Sequence, residues 1–465
     1  MKKALLIGLV LGLVAAWAVP AMAVDLTASG FIGMRGYVFQ NAVPNGPLFV
    51  GVPIRSAFGF GFGHADERGA FMNSRAELQF TLRASEDLYG VFKFRMDSTI
   101  FGSDPANRYA AVGGGHIAVQ VQHLFIDFRV PPKLPLWFRV GLQPVAIRPW
   151  IFYFNDCPAI SVRTMIDPIK LSVTGYYAKM SDPSNWNTIG GAELYAIDMK
   201  LPLNFGSVSI APGFFFAYQN IRDNNLYAFW NNAVFAGGRD WEQDYWIGVN
   251  ADGKVGPAKF QVDFIYNGGQ RENLVAADQD ISSWLINGNV SFVFKKLEVG
   301  LGGRYIQGED QTSGDVEGFQ LPGGPNFGSE SLPISGEFIV FDNGWFTFGP
   351  GWPGVGLIDG PSTYWPGYWD VRAFAYYQVL DWLKVGAQLG YIGDTEVHGD
   401  AIGNDADDDD SIGWEMDFGV NVQIYKNLAL ETGFGYLFGG KALSLAGGVE
   451  PENPWAVQAR LMYMF

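Results

Sequence analysis

The sequence predicts an all-β fold: a transmembrane, antiparallel up-and-down β-barrel of eighteen strands, with sixteen as the alternative count. Three observations predict it. Polar and apolar residues alternate with a period of two over runs of roughly 10–14 residues, which is the signature of a strand with two unlike faces. The connections alternate between tight turns and long loops rich in Gly, Asn, Asp and Pro. Finally, 48% of the residues are apolar and 15% aromatic, yet beyond the first 23 residues no segment reaches the ~18 consecutive apolar residues of a membrane-crossing helix.

In chain order, residues 1–23, "MKKALLIGLVLGLVAAWAVPAMA", combine a basic start, an apolar run and the small-x-small site Ala21-Met22-Ala23, so they read as an export signal. The rest, 24–465, reads as one barrel domain, because no linker or composition break divides it. The first strand is expected at 26–39, followed by a long loop over about 40–70. Residues 71–84 put Asn73, Arg75, Glu77, Gln79, Thr81 and Arg83 on one face and Met72, Ala76, Leu78, Phe80 and Leu82 on the other. After the turn "SED", residues 88–101 repeat the pattern with Lys93, Arg95, Asp97 and Thr99 opposite Phe92, Phe94 and Met96, which makes a hairpin.

A loop at 102–115 leads to a strand at 116–130, where adjacent Gln122 and His123 break the alternation and predict a bulge. "PPKLP" connects it to 136–147. The weakest element is 158–166, required because without it 136–147 and 169–180 would run in the same direction. Next come 191–201 and 207–219 around "PLNFG", a loop over 220–240, then 241–252 and 258–267 around "DGKVG". Strands at 282–294 and 297–307 flank "KK" and precede the longest loop, 308–366. The pairs 367–379 with 383–393 and 412–424 with 428–438 flank "DW" and "YKN", with a long loop over 394–411 between them, and 454–465 ends the series. An even count puts both ends on the short-turn side. A water-soluble sandwich also alternates, but its strands average five or six residues, shorter than these. Tyr89, Trp137, Tyr177, Trp241, Trp284, Trp369, Trp382 and Trp455 lie near strand ends, as interfacial aromatic girdles would.

The formal charge of −16 argues against nucleic acid as a partner, since duplex binding draws on Lys and Arg neutralising phosphates. A lone Cys157 excludes an internal disulfide and a C-x-x-C-H haem attachment. Four scattered histidines, with no G-x-S-x-G or H-E-x-x-H motif, give no reason to expect an enzyme or a cofactor.

The export signal, the short-turn and long-loop alternation, and a final strand with apolar residues at every second position ending in Phe465 resemble a Gram-negative outer-membrane porin of the larger, substrate-preferring or alginate-export-like kind. The resemblance implies a location in the outer membrane, contact with its lipid and lipopolysaccharide, insertion by the barrel-assembly machinery reading the C-terminal strand, and passive diffusion of small hydrophilic solutes. A homotrimer stays open, as does a barrel that houses a partner such as a cytochrome or serves surface adhesion.

For a barrel of this size the inward face lines a water-filled channel. By parity, strands two to seven point inward Arg75, Arg83, Lys93, Arg95, Arg129, Arg139, Arg163 and Lys170 against Glu77, Asp97 and Asp127. The last six strands contribute Arg304, Arg372, Lys384 and Arg460 against Glu298, Asp370, Glu415, Asp417 and Glu431. One wall is basic and the other balanced to acidic, which predicts a preference for anions. "RPWIFYFNDC" at 148–157 breaks the alternation where general porins fold a loop into the lumen, so Arg148, Trp150, Tyr153 and Asp156 are expected at a constriction. The 308–366 loop is long enough to act as a lid. Asp405, Asp407 and Asp409, in an acidic outer loop, could bind calcium, but the spacing lacks the Gly and distal Glu of an EF-hand.

Overall fold

A computed structural model describes residues 24–40, 68–100, 119–130, 135–149, 151–181, 191–222, 239–273, 277–308, 313–322, 338–340, 367–396, 410–441 and 453–465. The strands are β1 (Asp25–Gln40), β2 (Arg68–Ser85), β3 (Leu88–Ile100), β4 (Val119–Arg129), β5 (Leu136–Ile147), β6 (Tyr153–Ile166), β7 (Leu171–Ser181), β8 (Gly191–Lys200), β9 (Leu203–Phe205), β10 (Val208–Arg222), β11 (Arg239–Val255), β12 (Ala258–Asn273), β13 (Gln279–Phe294), β14 (Leu297–Ile306), β15 (Tyr368–Leu380), β16 (Leu383–Asp394), β17 (Ser411–Tyr425), β18 (Leu428–Gly439) and β19 (Trp455–Met464). β8 and β9 both pair with β10 and form one stave. They are separated at Leu201-Pro202, where proline has no N–H to donate to the ladder. The sheet is therefore an eighteen-stave antiparallel barrel.

Each stave pairs with the next, and β1 pairs with both β2 and β19. Closure is continuous from Phe31 opposite Met464 to Gln40 opposite Trp455. At the seam Gly30 N–H donates to Phe465 C=O at 2.9 Å and Phe465 N–H to Gly30 C=O at 3.0 Å. The seam leaves neither β1 nor β19 as a free edge, as lipid demands because an unpaired backbone group there costs several kcal/mol.

The two faces are inverted relative to a soluble protein. Leu26, Leu301 and Val371 are 64, 57 and 58% exposed on the outside, while Arg35, Arg372 and Arg460 are 1% exposed and Asp127 and Glu415 0%. Soluble monomers rarely expose apolar patches beyond a few hundred Å². This surface instead faces hydrocarbon. Outward rings form a ladder toward the long-loop end: Tyr177–Tyr195–Tyr218, Tyr245–Tyr266, Trp284–Tyr305 and Trp369–Tyr391–Trp414 are neighbours at centroid distances of 4.3–6.3 Å.

Several elements differ from the sequence expectation. β6 starts at Tyr153, so part of 148–157 is strand. Lys170, expected on a strand, sits at φ 59° in the turn before β7, ion-paired with Asp167. Tyr89 and Trp137 belong to the inward parity and not to a girdle, since they stand opposite Asp127 and Arg163. The bulge falls where the Gln122-His123 pair indicated: Lys93 faces His123 and Phe94 faces Val121, leaving Gln122 as the extra residue.

Candidate channel lumen

Alternate residues of every stave point inward, so cross-strand pairing decides which lumen charges meet. Arg95 Nε donates to Glu77 Oε1 at 2.9 Å, directly across the β2–β3 ladder, and Lys93 pairs with the same carboxylate. Arg139 Nε and Arg163 Nη2 both donate to Asp127 Oδ2, at 2.8 and 2.6 Å, and Arg139 also lies 4.4 Å from the centroid of Phe125. Elsewhere on the inward face Arg271 donates to Glu242 at 2.7 Å, Arg460 Nε to Glu431 Oε2 at 2.7 Å, and Arg372 to Asp370 and, at 2.9 Å, to Asn289 Oδ1. Arg guanidinium suits this work because it stays charged and offers several donors in a fixed fork.

The β5–β6 hairpin leaves the barrel wall. Its own strands stay paired up to Ile147 opposite Tyr153. Among the described residues, however, the last β4–β5 pair is Leu124 with Leu142 and the last β6–β7 pair is Ala159 with Ala178. The upper part of the hairpin therefore lacks neighbours in the ladder. The departure is at Gly141, whose φ of +130° is foreign to L side chains and where a Cβ would overlap the Leu124 carbonyl oxygen. Gln143, fully buried, fixes the bend: its Nε2 donates to Ala159 C=O at 2.6 Å and its Oε1 accepts from Ser161 Oγ at 2.9 Å.

The tip then crosses the lumen to β10–β12. Phe152 stacks on Phe215 at 4.6 Å and tilts against Trp246 at 5.6 Å. Arg148 grips Asp252 with both Nη atoms, at 2.8 and 2.7 Å, and pairs through Nε with Asp263. Lys200 shares Asp252 at 2.7 Å. On the other flank Gln122 Nε2 donates to Asp156 Oδ2 at 2.7 Å, and His123 Nε2 lies 2.8 Å from Asp156 Oδ1.

Two pieces of the 308–366 segment also lie inside. Val316 bridges Ile281 in parallel, and Trp246 Nε1 donates to Gln320 C=O at 2.9 Å. Phe338 and Ile339 sit where Gly390, Gly433 and Gly435 leave the wall without side chains, and Val340 N–H donates to Glu415 Oε1 at 2.6 Å. With Tyr153 and Phe152 they form a buried apolar cluster within the barrel.

Of the expected lumen residues, Arg75, Lys93, Arg95, Arg139, Arg163, Glu415, Asp417 and Glu431 share the inward face. Arg83 lies near its short-turn end, over the Tyr89 ring at 5.0 Å. Arg129 pairs with Asp87 of the neighbouring turn, both well exposed, and Lys170 lies in a turn, so both belong to the rim. Arg148, Tyr153 and Asp156 come together on the inward hairpin. The side chain of Asp97, and Trp150, Asp405, Asp407 and Asp409, fall outside the described residues, as do residues 1–23. Among the described residues no group of three His, Cys, Asp or Glu side chains could hold a metal ion. Sequence reasoning missed Asp252 and Asp263 as partners of Arg148, because their separation of more than 100 residues leaves no local signal.

The sequence matches no protein-family model and no curated protein. Among solved structures it is similar to OccK8 (OprE) of Pseudomonas aeruginosa, at a TM-score of 0.52 and 10% identity over 94% of this chain and 98% of that one. It is also similar to OccK1 (OpdK) of the same organism, at 0.50 and 11% over 94% and 98%. The fold is that of the Gram-negative outer-membrane porins. An outward apolar belt and an aromatic ladder are what such a barrel presents to a bilayer.

Proposed function

We propose that the chain is an outer-membrane channel for passive diffusion of small hydrophilic solutes, with a preference for anions. The observation that carries the reading is the inverted barrel: a lumen lined by charged side chains, narrowed by a hairpin that leaves the wall and crosses to the far side. A buried lattice of ion pairs is an expensive way to hold a closed barrel together. It suits a passage for water and polar solutes.

The anion preference rests on the sector from β1 to β6. There Arg35, Arg75, Arg83, Lys93, Arg95, Arg139 and Arg163 share the inward face with Asp25, Glu77 and Asp127 among the described acids, and Asp156 adds one carboxylate on the inward hairpin. Fixed cations within a Debye length of the path, about 8–10 Å at physiological salt, raise the local anion concentration. Residues 1–23 serve as the export signal in this reading, and the β19 strand ending in Phe465 is the segment the assembly machinery recognises.

Planar-bilayer recording of the purified protein tests the proposal. Discrete conductance steps with an anion-selective reversal potential under a salt gradient are expected. A folded barrel that passes no current overturns the channel, and a cation-selective one overturns the preference.

A further inference from the structure

A second polar site lies away from the hairpin, at the short-turn end of the lumen. A cavity of about 410 Å³ opens there between the ends of β2, β3, β5, β6 and β7. Register explains its lining. Trp137, Arg163 and Thr174 stand directly opposite one another on three consecutive staves, and Arg83 faces Tyr89 on two more. Ser172 lies two residues from Thr174 on the same face, and Glu86 sits at the mouth.

The donor chemistry of this cavity is in excess. Among the described residues Arg83 has only the Tyr89 ring as a partner, which leaves its N–H groups to solvent. Arg163 spends Nη2 on Asp127, while its buried Nε has no acceptor. The hydroxyls of Ser172 and Thr174 complete a set of two guanidinium groups and two hydroxyls. A carboxylate has two oxygens to offer such a set, whereas a phosphate monoester has three terminal ones and a double charge. Tyr89, Trp137 and Met165 supply the apolar wall against which the body of a ring-bearing solute would lie.

We propose that this cavity is an exit-side binding site for a phosphate monoester carried on a sugar-sized ring. The site rests on the channel reading for its role: it holds the solute after the constriction and sets the rate of its release. It takes no part in holding the hairpin.

The test uses glucose 6-phosphate as probe, with glucose, glucuronate and inorganic phosphate as comparisons. Calorimetric titration of the purified barrel in detergent should show glucose 6-phosphate binding more tightly than all three. Arg83→Gln and Thr174→Val should each weaken it by about tenfold, the effect of losing one hydrogen bond to a charged group. Both variants should keep the heat-modifiable mobility of a folded barrel. In bilayers, blockades by glucose 6-phosphate added on the short-turn side should shorten in both variants. Binding unchanged in Arg83→Gln, or glucuronate bound as tightly as the phosphate ester, overturns the proposal. A silent barrel that still binds the probe overturns the channel and leaves the site standing, while a conducting barrel that ignores the probe does the reverse.

Discussion

Replacing Arg148 by Gln tests whether the inward hairpin is latched electrostatically. The Asp263 carboxylate is fully buried and Arg148 only 11% exposed, whereas Asp252 keeps 34% of its surface and a second partner in Lys200. The weight falls on the Asp263 arm. Leaving a buried charge without its partner costs about 3–5 kcal/mol. The hairpin has a way to avoid most of that, because its tip is free of the ladder and can swing away so that water reaches Asp263. The loss therefore shows up as undocking, and about 3 kcal/mol changes the docked-to-undocked ratio by roughly 150-fold. Burial of Phe152, worth about 1.5–3 kcal/mol, opposes complete release. Single-channel recording of Arg148→Gln should then show larger and noisier openings than the parent, and amides of 143–158 should exchange up to ~100-fold faster. Arg129→Gln is the control: its pair with Asp87 is exposed and worth at most about 1 kcal/mol, so neither readout should move. If Arg148→Gln matches the parent in conductance, noise and exchange, the latch does not exist.

Three further outcomes follow from particular contacts. Gly141→Ala, which places a Cβ against the Leu124 carbonyl at positive φ, should cost about 1–3 kcal/mol and lower the yield of heat-modifiable barrel; an unchanged yield would mean the bend tolerates a side chain. Deleting Phe465 removes both seam hydrogen bonds to Gly30 and the ring at 5.8 Å from Tyr463, and should sharply reduce folded protein in outer-membrane fractions; full recovery there would refute a role in closure. Changing Arg75, Arg95 and Arg139 together to Ser should shift the reversal potential toward cations by more than the lost charges alone, because Glu77 and Asp127 lose bonded partners; a potential that stays put would show that these arginines lie off the ion path.

The barrel was legible because its information is local. A strand with one lipid face and one water face must alternate residue by residue, and "AELQFTLRA" shows this without reference to any other segment. Turn chemistry gave the hairpins for the same reason. The eighteenth stave followed from direction alone, and β6 does pair antiparallel with both β5 and β7. The extent of β6 was hidden because a hairpin inside a lumen is contacted on both faces, so Tyr153 and Phe154 need not alternate with polar neighbours. Tyr89 and Trp137 misled for a related reason: an aromatic near a strand end reads as a girdle residue on either parity, and only register shows that both face inward. The partners of Arg148 were beyond reach, since which far wall a folded-in tip touches depends on barrel curvature and on the bend at Gly141.

Charge counting along the sequence treated each inward arginine as a source of field, and the cross-strand geometry changes what those charges do. Glu77 is shared by Lys93 and Arg95, and Asp127 by Arg139 and Arg163, so each carboxylate is bonded to two cations and each group keeps net positive charge. Such a group attracts an anion weakly at a distance and strongly at contact, where an oxygen can displace part of the carboxylate's hold on a guanidinium. Elsewhere on the inward face Arg460 bonds Glu431, Arg372 bonds Asp370 and Arg271 bonds Glu242, while Asp252 is again shared by two bases, Arg148 and Lys200. A solute moving along the β2–β6 side meets successive carboxylates, each shared by two bases. Selectivity of this origin should weaken less with added salt than selectivity from a diffuse surface charge, because contact exchange of hydrogen-bonded partners is screened less than a long-range field.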